Sequence, residues 1–274
     1  MSRAIALFVF VVLTLATQVG GLILILAWLI GRYAFPVSLC GWRRIAALAT
    51  LFAGLYAALS IFLVPPLAAV GGRIPLPCRA ESDRPFAAAH PLYCVMNRHY
   101  VDPRLAMLLT ALSREINRTH PGTLTVFLDA SFPFLDRFPL LPHLSHGDGR
   151  KLDIAYYYGA PDGSYLPGQL RSPIGYWAFE QPGAATSPCQ TQSWLSLRWD
   201  MKALQRFYPD RPLEPERTRA ALRWLVTEGP QFGVERVFIE PYLAVRLGVS
   251  SPILGFQGCR AARHDDHIHF QIRR

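Results

Sequence analysis

Charge is scarce in this 274-residue chain: Asp, Glu, Lys and Arg make up 17% of it, against about 25% in an ordinary soluble domain. No acidic residue and no lysine precede Glu81. The chain also lacks a C-x-x-C pair, an internal repeat, a low-complexity tract and any run of clustered Lys and Arg. Each absence excludes something. Disorder and coiled coils need more charge than this. A structural zinc ribbon needs paired cysteines. A nucleic-acid face needs basic residues gathered within the folded part. The formal charge of +9 does not supply such a face: Arg3, Arg32, Arg43, Arg44, Arg73 and Arg79 all precede Glu81, and the balance beyond it is only +3. No nucleic-acid partner is expected.

What is present is apolar. Hydrophobic residues reach 51%, and the mean hydropathy is +0.19. Residues 4–30 carry no charge, a stretch of about 40 Å if helical, longer than a bilayer core needs. Residues 45–64 form a second uncharged stretch, closed by Pro65 and Pro66. Two transmembrane helices are expected, at about 4–30 and 45–64, within an anchor covering 1–72. The first stretch is too long for a signal peptide and lacks a cleavage motif. Arg32, Arg43 and Arg44 lie between the two, so the positive-inside rule keeps that loop cytoplasmic and places both termini outside. Arg73 and Arg79 argue the other way.

Cysteine usage agrees with an outer location. Cys40 falls in the loop, whereas Cys78, Cys94, Cys189 and Cys259 lie beyond the second stretch. An even number there suits an oxidising compartment. Of the three pairings that four cysteines allow, proximity along the chain favours Cys78–Cys94 with Cys189–Cys259.

Residues 73–95, rich in Pro and Ala at their start, read as a linker to a domain at 96–274. Asp102 and Pro103 form a helix start. Leu105, Leu108, Leu109, Leu112 and Ile116 follow at helical spacing, and His120-Pro121-Gly122 ends the run. Thr123–Leu128 and Leu152–Tyr158 read as strands, although Tyr156, Tyr157 and Tyr158 cannot all be buried on one. Residues 187–193 read as loop and 197–207 as helix. Pro215 opens a helix carrying Leu222, Leu225 and Val226. Val234–Ile239 and His267–Ile272 read as strands. Helices and strands mix without a regular β-α-β alternation, which favours an α+β fold. Core packing is the expected role of most of Trp177, Trp194, Trp199 and Trp224.

Two segments carry the chemistry. The first runs His143-Leu144-Ser145-His146-Gly147-Asp148-Gly149-Arg150-Lys151-Leu152-Asp153, the second His264-Asp265-Asp266-His267-Ile268-His269. Residues two apart on a strand share a face, so His267 and His269 point together while Ile268 and Phe270 enter the core. Gly147 and Gly149 let the first segment turn back, bringing His146 near Asp153. Two imidazoles and a carboxylate, with a fourth position for water, are a common ligand plan for catalytic zinc. Asp129 ends a strand and is read as a turn residue before a partner of a zinc histidine.

H-x-S-H-x-x-G-x-x-x-D followed by H-D-D-H-x-H resembles the penicillin-insensitive murein endopeptidases. These belong to the fold group of the D-Ala-D-Ala carboxypeptidases and the hedgehog N-domain. Val234–Pro241 resembles the strand and turn before their last motif, and the likeness is close only in these three segments of about 124–272. It implies a central, largely antiparallel sheet with flanking helices. It implies one Zn²⁺ per chain, held by His146, Asp153 and His269, with His267 stabilising the tetrahedral intermediate. His264 stands where the carboxypeptidases carry a general-base glutamate, with Asp265 and Asp266 as alternative proton acceptors. His143 matches a histidine of the endopeptidases. The carboxypeptidases' arginine for the substrate carboxylate has no counterpart in 124–132, and Arg137 and Arg150 are candidate substitutes. Residues 159–188 have no counterpart. The expectation is a membrane-anchored zinc metallopeptidase of the bacterial inner membrane. Its domain would face the periplasm and hydrolyse peptidoglycan peptide, cross-links by preference. The alternative is an inactive zinc-containing cell-wall-binding or signalling protein of the same fold.

Overall fold

The computed structural model describes residues 2–36, 38–141, 143–180, 189, 198 and 201–274. The expected helix over 4–30 is instead two, α1 (Arg3–Thr17) and α2 (Gly20–Ala34), broken at Gln18, whose φ is +66°. The break has a local cause. The Thr17 hydroxyl donates to the Leu13 carbonyl and accepts from the Gly20 amide, opening α2. A Cβ at Gly21 would lie 2.0 Å from the Thr14 hydroxyl and 2.8 Å from the Phe10 ring, so only glycine permits α1 and α2 to pack this closely. The two fold back along a half-buried stripe of Ala6, Phe10 and Leu13 on α1, with Gly20 of α2 against Leu13 and Gly21 against Phe10, while Gly31 abuts Leu48. Each spans about 22 Å, short of a roughly 30 Å hydrocarbon core. The helix α3 (Gly41–Phe62) is the one among the described residues that is long and apolar enough to cross a membrane. It continues into α4 (Val64–Val70), with Pro65 and Pro66 in its first turn. The reversal at Gln18 brings the N-terminus to the same end as the 35–40 loop, so Arg3, Arg32, Arg43 and Arg44 gather there.

The other end of this helical unit docks on the domain. Val19, Ile23, Val64 and Ala68 pack with Tyr100. Gln18 accepts a hydrogen bond from the Phe134 amide at 2.7 Å, and the Tyr56 hydroxyl donates to the Val95 carbonyl at 2.6 Å. Arg73 is no membrane flank: it is 4% exposed and donates to the Phe132 and Gly147 carbonyls, tying down the loop that carries His146.

Residues 73–95 are part of the fold and not a linker. They hold β1 (Ile74–Pro75), β2 (Phe86–Ala88) and α5 (Pro91–Val95), and Leu76, Phe86 and Tyr93 enter the core. A short β3 (Tyr100–Val101) pairs with β1. Next come α6 (Pro103–Thr119), β4 (Thr125–Phe127), β5 (Lys151–Ala155), α7 (Lys202–Gln205), α8 (Pro215–Thr227), β6 (Val234–Phe238), α9 (Pro241–Leu247), β7 (Leu254–Gly255) and β8 (His267–Ile272). Six strands form one mixed sheet in the order β2-β4-β5-β8-β6-β7. Its central pairings are antiparallel and the two edge pairings parallel. The fold is α+β.

Asp102 caps α6 through the Arg104 amide, and the five apolar residues predicted for its inner face are at most 1% exposed. Both disulfides pair as expected, Cys78–Cys94 and Cys189–Cys259, and Cys40 is free and exposed. Trp177 and Trp224 pack against the core. Trp194, Trp199, all of 187–193 but Cys189, and residues 197, 199 and 200 of the helix expected over 197–207 lie outside the described residues. Of that helix, α7 is the described part. Tyr156, Tyr157 and Tyr158 are all buried, against expectation. The strand ends at Ala155, and each hydroxyl finds its own partner: the His264 carbonyl, the Thr125 hydroxyl and the Asp266 carbonyl.

His99 sits between α5 and β3, 8% exposed, against the Tyr100 ring. Burial pushes its pKa down to about 4, outweighing a hydrogen bond with Tyr93 backbone. The folded protein thus binds this proton less readily than the unfolded chain does. Its neutral form contributes stability above pH 6.5, and that contribution is lost as pH falls toward 4, by up to about 3 kcal/mol. Denaturant titrations of wild type and His99→Gln at pH 7 and pH 4 should show the smaller acid loss in the variant. An equal loss would remove His99 as the cause.

Candidate metal centre

The pairing of β5 with β8 sets Asp153 directly opposite His269 and Ala155 opposite His267. Both strands are central, so one face meets the core through Ile154, Ile268 and Phe270. The other presents Asp153, His267 and His269, 0–4% exposed. His146 arrives from the loop ahead of β5. That loop turns at Gly149, with φ +73°, and passes so close to Arg137 that a Cβ on Gly147 would lie 2.9 Å from its backbone.

Three atoms converge. His146 Nε2 lies 3.0 Å from His269 Nδ1 and 3.3 Å from Asp153 Oδ1, and His269 Nδ1 lies 2.8 Å from Asp153 Oδ1. The opposite nitrogen of His146 faces the Ala130 carbonyl at 2.9 Å, a contact only an N–H satisfies, which leaves Nε2 to face the trio. Ligands about 2.0–2.1 Å from a tetrahedral zinc lie roughly 3.3 Å apart. The spacing and the donor set fit, and these buried groups could hold a metal ion. A second trio shares the carboxylate: His143 Nδ1 lies 3.3 Å and His267 Nε2 3.7 Å from Asp153 Oδ2.

The surroundings fix the charge of each group. Burial alone would raise the Asp153 pKa, but His146 and His267 hold it well below the usual carboxylate range. Burial brings His269 down to about 4. It takes His264 well below the ordinary histidine value, helped by His267 and His269. His267 goes the other way: the carboxylates of Asp153 and Asp266 outweigh burial and raise it. Asp266 grips His267 Nδ1 at 2.6 Å, its other oxygen accepting from the Ala178 amide at 3.3 Å. It therefore orients the His267 ring. His267 Nε2 is buried and, among the described residues, has no hydrogen-bond partner. The His264 ring lies 4.8 Å from that of His267, and its amide donates to Glu240, which is paired with Arg198. Asp265 is engaged by Arg263 and Tyr242, and burial lifts its pKa to about 7.

Three residues around the site carried little or no signal in the sequence. Asp129 is no turn residue: it is 1% exposed, accepts two hydrogen bonds from Arg98 at 2.7 and 2.8 Å, and faces His143 Nδ1 at 3.1 Å. Arg98 had no motif to mark it. Tyr176, from the stretch without a counterpart, donates to Asp153 Oδ2 at 2.6 Å and accepts from the Asp129 amide. Arg150, a candidate for a substrate carboxylate, is occupied by Asp148 at 2.9 Å. Partners of this kind tune a ligand's orientation. Tyr176→Phe should therefore weaken metal affinity by about 10–100-fold, measured by competition with a chelator. Unchanged affinity would reduce Tyr176 to a packing role.

No protein-family model matches the sequence, and comparison with curated proteins gives no significant match.

Proposed function

We propose that this chain is a membrane-anchored zinc peptidase acting on the peptides of bacterial cell wall. The observation that carries the reading is the convergence of His146 Nε2, Asp153 Oδ1 and His269 Nδ1 on a buried face of the sheet, beside a His267 nitrogen that has no hydrogen-bond partner among the described residues. Zinc held there would polarise a substrate carbonyl and acidify a water. The remaining work falls to side chains. Tyr176 and the Ala130 carbonyl hold two of the ligands in place. Asp153 and Asp266 favour the protonated form of His267, whose Nε2 would then donate to the oxygen on which negative charge develops, a contribution of about 3 kcal/mol. His264 accepts a proton and returns it to the leaving amine. The peptidoglycan substrate rests on the resemblance of the two motifs to murein endopeptidases and on the anchor.

The anchor reading is supported by the apolar surface of α1–α3, where Phe8, Leu22, Trp28 and Ile61 are more than half exposed. The four arginines at the end away from the domain fit a cytoplasmic side. The N-terminus then lies inside with them, not outside as first expected, and the domain faces the periplasm. A membrane-impermeant maleimide should label Ser164→Cys in intact cells, and Cys40 only after the membrane is opened. Labelling of Cys40 in intact cells would overturn the orientation.

The second reading, an inactive zinc-containing wall-binding or signalling protein, is favoured by the low pKa of His264, which makes it a weak proton acceptor. Incubating purified cell-wall fragments with the full chain, with and without a chelator, separates the two. The peptidase reading requires new peptide products that the chelator abolishes. Binding without products would establish the second.

A further inference from the structure

A cavity of about 290 Å³ opens between residues 168–173 and 207–211, outside the metal centre. Its walls include Arg171, Arg211, Ser172, Tyr208 and Phe207. Two of its lining residues carry a buried polar atom with no hydrogen-bond partner among the described residues: Ser172, 3% exposed, at Oγ, and Arg171 at Nε. Such orphans are rare in folded proteins. Both can donate.

Two arginines line the cavity. Arg171 bonds Glu180 at 3.1 Å, but Glu180 also faces Arg246 at 3.3 Å, so one carboxylate serves two guanidinium groups. Arg211 donates to the Leu170 carbonyl, and among the described residues no carboxylate pairs with it. The cavity is thus lined by two arginines, one of them without a carboxylate partner among the described residues, beside a serine and aromatic side chains. Guanidinium groups recognise carboxylates by paired, charge-assisted bonds.

Position links the cavity to the reaction. Ser172 and Gly175 close a turn, and Tyr176 touches Asp153. Four residues of chain reach at most about 14 Å. An extended peptide covers that distance in roughly two to four residues.

We propose that this cavity is a carboxylate-binding subsite, holding the free carboxylate of an acidic peptide whose bond to be cleaved lies two to four residues away at the metal centre. The identity of the ligand rests on the peptidase reading; the binding itself does not. It is therefore tested on the full chain stripped of metal. Calorimetry would compare an acetylated alanyl-glutamate dipeptide with its C-terminal amide and its side-chain amide. One of the two amides should bind at least about tenfold more weakly than the diacid, which identifies the carboxylate recognised. Arg211→Gln should lose the same factor and Arg211→Lys less. Ser172→Ala should lose a smaller factor. In turnover by metal-loaded protein, Arg211→Gln should raise KM and leave kcat unchanged.

Equal binding of the diacid and both amides by wild type, or no binding of any, would overturn the proposal. So would a folded Arg211→Gln that binds as wild type does. If Arg211→Gln does not fold, the acid-against-amide comparison on wild type decides alone. Selective carboxylate binding by a protein that hydrolyses nothing would leave the subsite standing and remove the peptidase reading.

Discussion

Hydrolysis of cell-wall peptides should fall to the uncatalysed background in His146→Ala, Asp153→Ala and His269→Ala alike, and added zinc should restore none of it. The three residues come from a loop and two strands, and their donor atoms lie within 3.3 Å of one another. Asp153 is the most exacting of the three. Its carboxylate accepts from Tyr176, bonds His269, and faces His143 and His267 through its second oxygen. Without it, four buried imidazoles face one another with no neighbouring anion on that strand. Asp153→Asn keeps the shape and removes the charge, so it separates loss of ligation from loss of fold. A circular-dichroism spectrum like that of wild type, combined with background turnover, is the expected outcome. Turnover within tenfold of wild type in any of the three would reject the ligand set.

The second large effect is a separation of metal binding from turnover. His264→Ala should keep its metal and lose about 10²–10⁴ in kcat, the range of a general acid–base group. His267→Ala should keep it and lose about 10²–10³, the range of one oxyanion donor. Neither side chain belongs to the trio, yet both rings lie within 5.5 Å of a ring that does or of each other. Full kcat in His264→Ala would move the proton acceptor to another group. Asp266 is a poor substitute, because both its oxygens are already bonded. Asp266→Asn should mimic a milder His267→Ala, since it leaves the ring present but less well held.

Most of the site was legible in the sequence because it is local in two places. The alternation in His267–Ile272 puts two histidines on one face, and the glycines of 146–153 return the loop to its own strand. What joins them, the register of β5 on β8, is a tertiary pairing that no spacing encodes. The contributions of Arg98, Asp129 and Tyr176 were hidden for the same reason: each reaches the site from a different element, and none sits in a patterned run. Tyr156–Tyr158 misled because the period-two rule applies only while the strand lasts, and it ends at Ala155.

The N-terminal helices show the opposite failure. Hydropathy averages over Thr17-Gln18-Val19-Gly20-Gly21 and reports one uninterrupted apolar stretch. A glutamine with positive φ, a capping threonine and two residues without side chains instead reverse the helix. The consequence is more than cosmetic. It moves the N-terminus to the arginine end and sets Gln18 against Phe134 of the domain. Residues 73–95 misled by composition, since proline and alanine there serve an edge strand and a short helix.

The most direct test of the central claim is the zinc content of the full chain, purified in detergent and dialysed against metal-free buffer, measured by mass spectrometry of the metal. Wild type should hold one zinc per chain and Asp153→Asn none. A wild type without metal, or an Asp153→Asn that keeps a full equivalent, would contradict the account.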